Sequence, residues 1–598
     1  MCGIAGIIGN YDKSDISLLS EKIKHRGPDG VNTYRGENFC LIHSLLKIMD
    51  LSNKSIQPMV DKKNGNVIIF NGAIYNYKNL KKKYFISENF ESNTDTEVIL
   101  KLYAKFGIKF VELLNGMFSI SLFDKKLNKL FLIRDPYGIK PLYYYLSKDF
   151  FIFASEIKAL TSNQHIKNEL NLDYNQIIKF IAHRQIHGFK ETFFKNIRNL
   201  EPGTIITYNL NTNNFKIDKN IINNFNFSKL NENRDFAEKF DSSLNDQSIT
   251  EHSKIACFLS GGIDSTLLSI TLNKEARNKE IHTFSALLNK PNDENKNIPK
   301  INKDYNFIEH YVSENSINFF EAHIKTISDM DQPTADASMV IHNFLCKEVS
   351  KSGFKVLFSG LGGDETFFGY PLHVYGYLAY LLKKDGISKF LSSAKNLREY
   401  LNDKYIYLRA IKEIININKL NYFKNYQLSK RIKHLDINFN NIESDYYKGL
   451  SKNLFNNIIL NYNSHWGLSY FLDYEDKNSM AYGIESRVPY LDRNIVNYSY
   501  NINLENHFQN GPKSILRNHP HIPKYILNTK KKYGFPGNLE GYLEKNLEKI
   551  KEKIFYDFKE IPLINIEKLL NLTKNLELNS HIFFRTYSYG IWYKNFFK

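Results

Sequence analysis

The chain has 598 residues, 42% of them apolar, with 80 Lys and Arg against 63 Asp and Glu and a formal charge of +17. That length is enough for several domains, and the basic residues are spread out, with only short clusters such as Lys81-Lys82-Lys83 and Lys530-Lys531-Lys532; this pattern reads as solvated surface that attracts anionic substrates and not as a nucleic-acid patch. Cys2, Cys40, Cys257 and Cys346 form no CxxC pair, the first apolar run (Ile4 to Ile8) has no basic leader, and no stretch reaches the ~18 apolar residues of a membrane span, so the expectation is a cytoplasmic protein with no disulfide framework, zinc module, signal peptide or membrane partner.

In chain order, the first two hundred residues read as an α+β unit of short strands and turns. VIIFNG at 67–72, FSISLFD at 118–124 and KLFLIRD at 129–135 are strands. Between the first two, a helix starts near Thr94 and Asp95, either of which can cap it, and carries Val98, Leu102 and Phe106 on one face. The text turns polar and Asn-rich around 200–250, which places a domain boundary near 205–235. From Lys254 the pattern alternates: strand KIACFL, turn SGGIDS, helix TLLSITL, strands IHTFSALL (281–288) and FIEHYV (307–312), a helix near 340–351, then strand KVLFSG (355–360). Alternation of this kind implies a parallel sheet with helices on both faces. Beyond residue 371 the chain reads as mostly helical, and its aromatic tail FFRTYSYGIWYKNFF reads as a packed helix or loop, since Arg585 and Lys594 interrupt it.

Two groups of residues point to chemistry. In FLSGGIDSTL an apolar strand delivers Ser260, Gly261 and Gly262 to a helix N-terminus, where bare backbone N–H groups and the helix dipole favour a phosphate. Ser260 and Ser265 add hydroxyls, and Asp264 suits a phosphate only by holding Mg²⁺. A second strand and loop, VLFSGLGGDETFFGY, supplies Ser359, Gly360 and a further acidic ligand, Asp364, with Glu365 as a helper. At the other end of the chain, Cys2 becomes the terminal residue once Met1 is removed, placing a thiol and an α-amine on one residue. Asn71 and Gly72 in NGAIYNY are suited to an oxyanion hole.

MCGIAGI, HRGPDG (25–30), NGAIYNY and RDPYGIKPLYY (134–144) closely resemble class II glutamine amidotransferases, which use an N-terminal nucleophile. SGGIDS resembles the PP-loop of ATP pyrophosphatases. With GLGGDE, SMAYGIESRVPYLD (479–492) and KSILR (513–517) added in this order, nearly the whole chain resembles the glutamine-hydrolysing asparagine synthetases. The resemblance implies a two-domain protein. Residues 1–210 form a type 2 glutamine amidotransferase domain with an Ntn-hydrolase-like αββα sandwich, and 235–598 an ATP-pyrophosphatase domain with a Rossmann-like parallel sheet and a helical C-terminal region. It makes Cys2 the nucleophile with its own α-amine as base, Asp95 the partner of the glutamine α-amine, and Lys513 a counter-charge to the phosphates. The substrates would be glutamine or ammonia, ATP with Mg²⁺, and a carboxylate, joined through an acyl-adenylate and an internal ammonia tunnel, in a homodimer. Glu485 and Arg487 match a family segment in which a structural ion pair is at least as good a reading as a catalytic one.

Three departures modify that picture. Ala73 stands where the family usually has Glu. Leu45 stands where it has the Arg that holds the glutamine α-carboxylate, with Lys47 a looser substitute nearby. Leu361 replaces the Glu of aspartate-using members, and DQPTADAS (331–338) resembles the branch that amidates sugar uronates in surface-polysaccharide pathways. Aspartate and a uronate therefore stand as rival acceptors, and glutamine affinity is expected to be weak. A PP-loop enzyme acting on tRNA is a third reading, and it leaves the Cys2 region unexplained.

Overall fold

The computed structural model describes residues 2–184, 190–219, 236–276, 279–287, 294–419, 432–435, 455, 467–528 and 538–597. The 220–235 part of the expected boundary, Leu288 and the Lys530 cluster lie outside the described residues.

The N-terminal half is built on two six-stranded sheets. In the first, Gly3–Gly9 lies between Phe39–Leu45 and Phe150–Ala154, antiparallel to both. In the second, Val67–Ile74 pairs with Gly116–Asp124, which pairs with Lys129–Arg134, and the sheet continues through Thr204–Asn209 to Asn214–Lys219. Strand alternation sends Ile4, Ile8, Leu41, Val67, Ile69, Leu130 and Leu132 into one apolar layer shared by both sheets. The opposite faces are covered by helices. Lys13–Ile23 and Tyr174–His183 lie over the first sheet, and Asp95–Phe106 over the second. This is the expected αββα sandwich. The Asp95–Phe106 helix is capped as read, its Thr94 hydroxyl accepting from the Glu97 N–H at 3.4 Å.

The second half carries a five-stranded parallel sheet in the order Ile308–Ser313, Glu280–Leu287, Lys254–Phe258, Val356–Phe358, Glu485–Arg487. The strand first in sequence is therefore central, and chain order reverses between Lys254–Phe258 and Val356–Phe358. Ligands bind at such a switch point, beyond the strand carboxyl ends. The Glu485–Arg487 strand was not anticipated, because three residues show no period. The aromatic tail is the helix Leu576–Phe597, buried along Phe583–Trp592, with the Trp592 indole donating to the Asp331 carbonyl at 2.9 Å. Among the described residues no helix is long and apolar enough to cross a membrane.

Two of the links between the halves bear on the site. Leu46, Ile48, Ala73, Tyr75, Met117 and Ile139 enter the same apolar cluster as Val356, Val488, Tyr490 and Leu491 of the second half. Beside them runs a buried ionic chain: Arg26 Nη1 to Glu156 at 2.7 Å, Arg26 Nη2 to Asp476 at 2.8 Å, and Lys140 Nζ to Asp476 at 3.3 Å. Burial alone opposes the charge on Arg26, but Asp476 and Glu156 more than restore it and hold its pKa above the ordinary value. Replacing Arg26 with Met leaves both carboxylates short of a partner. The expected loss is about 3–5 kcal/mol of unfolding free energy, read from urea denaturation; an unchanged midpoint and slope would refute the pairing.

Candidate active site

Cys2 sits at the lip of the first sheet, immediately before the Gly3–Gly9 strand, with 6% of its surface exposed. Its backbone nitrogen, which becomes the α-amine once Met1 is gone, donates to Asn71 Oδ1 at 3.1 Å. Its carbonyl accepts from Arg26 Nε at 3.3 Å. Burial pushes the thiol pKa up, partly opposed by a hydrogen bond from the Leu46 amide. A proton acceptor must therefore be at hand before the sulfur can act.

Asn71 is fully buried on the Val67–Ile74 strand, and its Nδ2 has no hydrogen-bond partner. A shielded donor without a partner costs about 1–3 kcal/mol, so it is a group held ready for an incoming oxygen. Its neighbour Gly72 has φ +156°, and a Cβ there would lie 2.0 Å from the Met117 carbonyl oxygen, so only glycine fits this point of the ladder. Asp95 opens the Asp95–Phe106 helix, and its Oδ2 accepts from the Ile74 N–H at 2.8 Å, which ties it to the strand that carries Asn71. Burial lifts its pKa to about 6.

Leu45 and Ala73 are buried at 4% and 3% exposure, Ala73 within the apolar cluster that spans both halves. Lys47 does not take over the missing cation. Its ammonium is held by the Leu51 carbonyl at 3.2 Å and Asn53 Oδ1 at 3.1 Å, closing a turn at the surface.

The second group lies at the switch point of the parallel sheet. After Lys254–Phe258 the chain turns through Ser260-Gly261-Gly262 into the helix Ile263–Glu275. Gly261 has φ +80°, and a Cβ there would meet the Glu294 carbonyl oxygen at 2.0 Å. The Ser260 N–H donates to Ser265 Oγ at 3.1 Å, and the two hydroxyls are 3.0 Å apart, which closes the loop on the first helical turn. The loop after Val356–Phe358 packs directly against it: Gly360 approaches the Ser265 backbone, and a Cβ on Gly363 would lie 2.8 Å from Asp264 Cγ. Ser359 donates its N–H to the Arg487 carbonyl at 2.9 Å. Lys513, at φ +60°, brings its ammonium to Asp264 Oδ2 and to Asp364 Oδ1, the latter at 2.6 Å. A non-glycine residue in this left-handed conformation costs about 1–2 kcal/mol and persists only where its surroundings demand it.

Ser260, Gly261, Gly262, Asp264, Ser265, Ser359, Gly360, Asp364 and Lys513 are therefore brought together, and Cys2, Asn71, Gly72 and Asp95 form a separate group. Sequence reasoning missed three supports. The Tyr490 hydroxyl donates to the Asp264 carbonyl at 2.8 Å. Beneath the second loop, Glu475 accepts from Ser486 Oγ at 2.6 Å and lies 3.0 Å from His342 Nε2; burial opposes the charge on His342, but Cys346 and then Glu475 raise it to about 10. The Arg26 chain connects the Cys2 carbonyl to the Leu468–Met480 helix that carries Asp476. Within read segments, Glu365 is held by the Tyr370 hydroxyl at 2.7 Å. Arg487 Nε holds Glu485 at 2.6 Å while its Nη1 holds the carbonyls of Gln247 and Ile249, a structural pairing; burial pushes the Glu485 carboxyl up, but Arg487 and the other nearby cations hold it at about 2.

A glutamine amidotransferase domain model matches residues 1–219, and an asparagine synthase model matches residues 235–587. A relative in Methanocaldococcus jannaschii is 33% identical over 429 residues, 65% of this chain and 79% of its own. Asparagine synthetase [glutamine-hydrolyzing] 1 of Bacillus subtilis is 26% identical over 599 residues, covering 96% of this chain and 93% of its own. Asparagine synthetase [glutamine-hydrolyzing] 2 of the same organism is 34% identical over 304 residues, 48% of this chain and 40% of its own.

A Cβ on Gly369 would lie 1.9 Å from Asp364 Oδ1 and 2.1 Å from Lys513 Cε. Gly369→Ala must therefore push these two side chains apart. The expected result is at least about tenfold weaker ATP binding by calorimetry with little change in thermal midpoint. Undiminished affinity would mean that the Lys513–Asp364 contact is not part of the nucleotide site.

Proposed function

The chain belongs to the glutamine-hydrolysing asparagine synthetase family, and from that premise we propose that it is an ATP-dependent amidotransferase that converts a carboxylate to its amide, with release of AMP and pyrophosphate. The observation that carries this reading is the meeting of two glycine loops, two aspartates and Lys513 at the switch point of the parallel sheet.

Asp264 Oδ1 is shielded and has no hydrogen-bond partner, while a lysine ammonium lies on both carboxylates; the site is built around positive charge, and its oxygen donors fit Mg²⁺. A Mg²⁺ held by Asp264 and Asp364 would supply charge neutralisation at the phosphates. The N–H groups of the Ser260–Gly262 loop and the N-terminus of the Ile263–Glu275 helix cradle the pyrophosphate end of ATP. Lys513 follows the developing negative charge. The acceptor carboxylate oxygen attacks the α-phosphorus, the bond to pyrophosphate breaks, and an acyl-adenylate forms. Ammonia then attacks its carbonyl carbon and AMP leaves.

At the other centre the Cys2 thiol passes its proton to its own α-amine, and the sulfur attacks the glutamine side-chain amide. Asn71 Nδ2 and the Gly72 N–H hold the oxyanion, ammonia departs, and water clears the thioester. The apolar cluster shared by the halves and the Arg26–Asp476 link hold the two centres in one docked arrangement, and on this reading ammonia passes between them inside the protein. Glutamine affinity is low, because buried Leu45 offers no charge to its α-carboxylate and Lys47 is committed elsewhere.

The acceptor is aspartate or a sugar uronate. The uronate reading draws on Leu361, which packs partly buried against the apolar core beside the second loop and offers no charge to an amino-acid acceptor.

Four measurements test this. Cys2→Ala removes glutamine-driven but not ammonium-driven product. Loss of a charged contact worth roughly 2–4 kcal/mol raises KM for glutamine by about 30- to 1000-fold; a micromolar KM would overturn that part. Asp95 gains its charge only as pH rises through about 6, so glutamine KM falls across that range and levels off above it; Asp95→Asn removes the inflection. Pyrophosphate release with ammonium and Mg²⁺, offered aspartate and then uronates, identifies the acceptor: stimulation by aspartate makes asparagine the product, and stimulation by uronates alone selects the second reading. No stimulation by any carboxylate would defeat the proposal.

A further inference from the structure

The Ile263–Glu275 helix has the phosphate loop at its N-terminus. Near its C-terminal end, some 18 Å away at 1.5 Å per residue, stands a second polar cluster that the amidotransferase reaction does not use. The Asp241 carboxylate comes from the helix Phe236–Gln247, and two imidazoles come from His519-Pro520-His521, which follows the short helix Ser514–Arg517. One donor atom from each of these three residues lies within 4.8 Å of the others. His521 Nδ1 is 3.9 Å from Asp241 Oδ1, and Asp241 Oδ1 is shielded from solvent with no hydrogen-bond partner. His519 is 4% exposed, and its ring is fixed edge-on against Phe236 and Phe240.

From this arrangement we propose that Asp241, His519 and His521 form a binding site for one divalent transition-metal ion of the zinc class. Two imidazoles and a carboxylate are the donor set of zinc and cobalt, whereas Mg²⁺ and Ca²⁺ prefer oxygen alone. The site already attracts a cation. The Lys274 ammonium donates to Asp241 Oδ2 at 3.0 Å and rests 3.1 Å from His521 Nε2, and Thr271 Oγ1 is 3.3 Å from His521 Nδ1. Lys274 is half exposed on a flexible stem and withdraws when the metal enters. Each ring proton then moves to the nitrogen that does not ligate, which for His519 gives up the bond its Nδ1 accepts from the His521 N–H at 3.2 Å. Occupancy ties the 519–521 segment to the Phe236–Gln247 helix. Because that segment continues the helix that begins beside Lys513, the metal braces the lysine of the nucleotide site from behind.

The test is a Co²⁺ titration of the tag-free, full-length protein, with excess Mg²⁺ present to occupy the carboxylates of the nucleotide site. The expected result is a saturable visible absorption band with one ion per chain, displaced by Zn²⁺, together with a zinc-dependent rise in thermal midpoint. His521→Ala and Asp241→Asn, both at partly exposed positions, should weaken binding by about tenfold or more and abolish the rise, while Lys274→Met should tighten binding by removing the competing ammonium. The proposal is overturned if the wild-type protein shows no band, or if His521→Ala and Asp241→Asn, folded by circular dichroism, bind Co²⁺ as tightly as wild type. Neither result bears on the amidotransferase reading.

Discussion

Arg26 is fully buried, with one arm on Glu156 of its own half and the other on Asp476 of the second half. A single buried pair is a poor source of stability, since desolvation offsets much of the attraction. Here the charges alternate along a chain. Glu156 is also reached by His25 at 3.0 Å and Lys158 at 2.7 Å, and Asp476 by Lys140 at 3.3 Å. Each carboxylate is thus shared between cations. The apolar contacts between the halves tolerate small slides, but the ion chain does not, because a shift of a few ångströms would leave full charges unpaired without water. Arg26 thereby sets the docking register. Its third nitrogen holds the Cys2 carbonyl, so the placement of Cys2 and the docking of the synthetase half rest on one side chain.

Lys513 obeys the same electrostatic constraint at the switch point of the parallel sheet. Asp264 and Asp364 approach because Gly360 and Gly363 allow the two loops to touch, and two carboxylates this close repel unless a cation lies between them. Lys513 is that counterion, and the left-handed backbone that puts it there is the local cost of the arrangement. Burial sharpens the effect, since a charge with 5% side-chain exposure is poorly screened.

Much of this was legible locally. Short apolar runs between turns marked the sandwich strands, Thr94 marked a helix start, and glycine-rich turns after apolar strands marked both loops that meet at the switch point. The distant partners were not legible. Arg26 and Asp476 are 450 residues apart, and DYEDKNSM, dense in charge, has the composition of a solvated helix, yet Tyr474 through Met480 are buried. Nothing in its period says that its acids and its lysine face ionic partners; only the docked fold shows that. Lys47 failed in the opposite direction. Nearness in sequence suggested a replacement cation, but its stem points to the Leu51–Asn53 turn, a direction that spacing does not encode.

The glutamine pocket shows how one set of residues serves two demands. Asn71 is both the held-ready donor and the acceptor that fixes the Cys2 nitrogen, so keeping it preserves the structure even where glutamine binds weakly. Ala73 lies in the cluster that continues into the synthetase core, and Leu45 is buried at the end of its strand. Burying a leucine side chain contributes about 1.5–3 kcal/mol, the same order as the charged contact that a cation at that position would give. On the proposed reading, Leu45 gives up the charged hold on the glutamine carboxylate for burial at the strand end, and Ala73 adds to the packing between the halves. A chain that draws its ammonia from solution keeps its docking and loses little. Such a chain still needs its amidotransferase half, because that half supplies Arg26 and one wall of the apolar cluster against which the synthetase sheet packs.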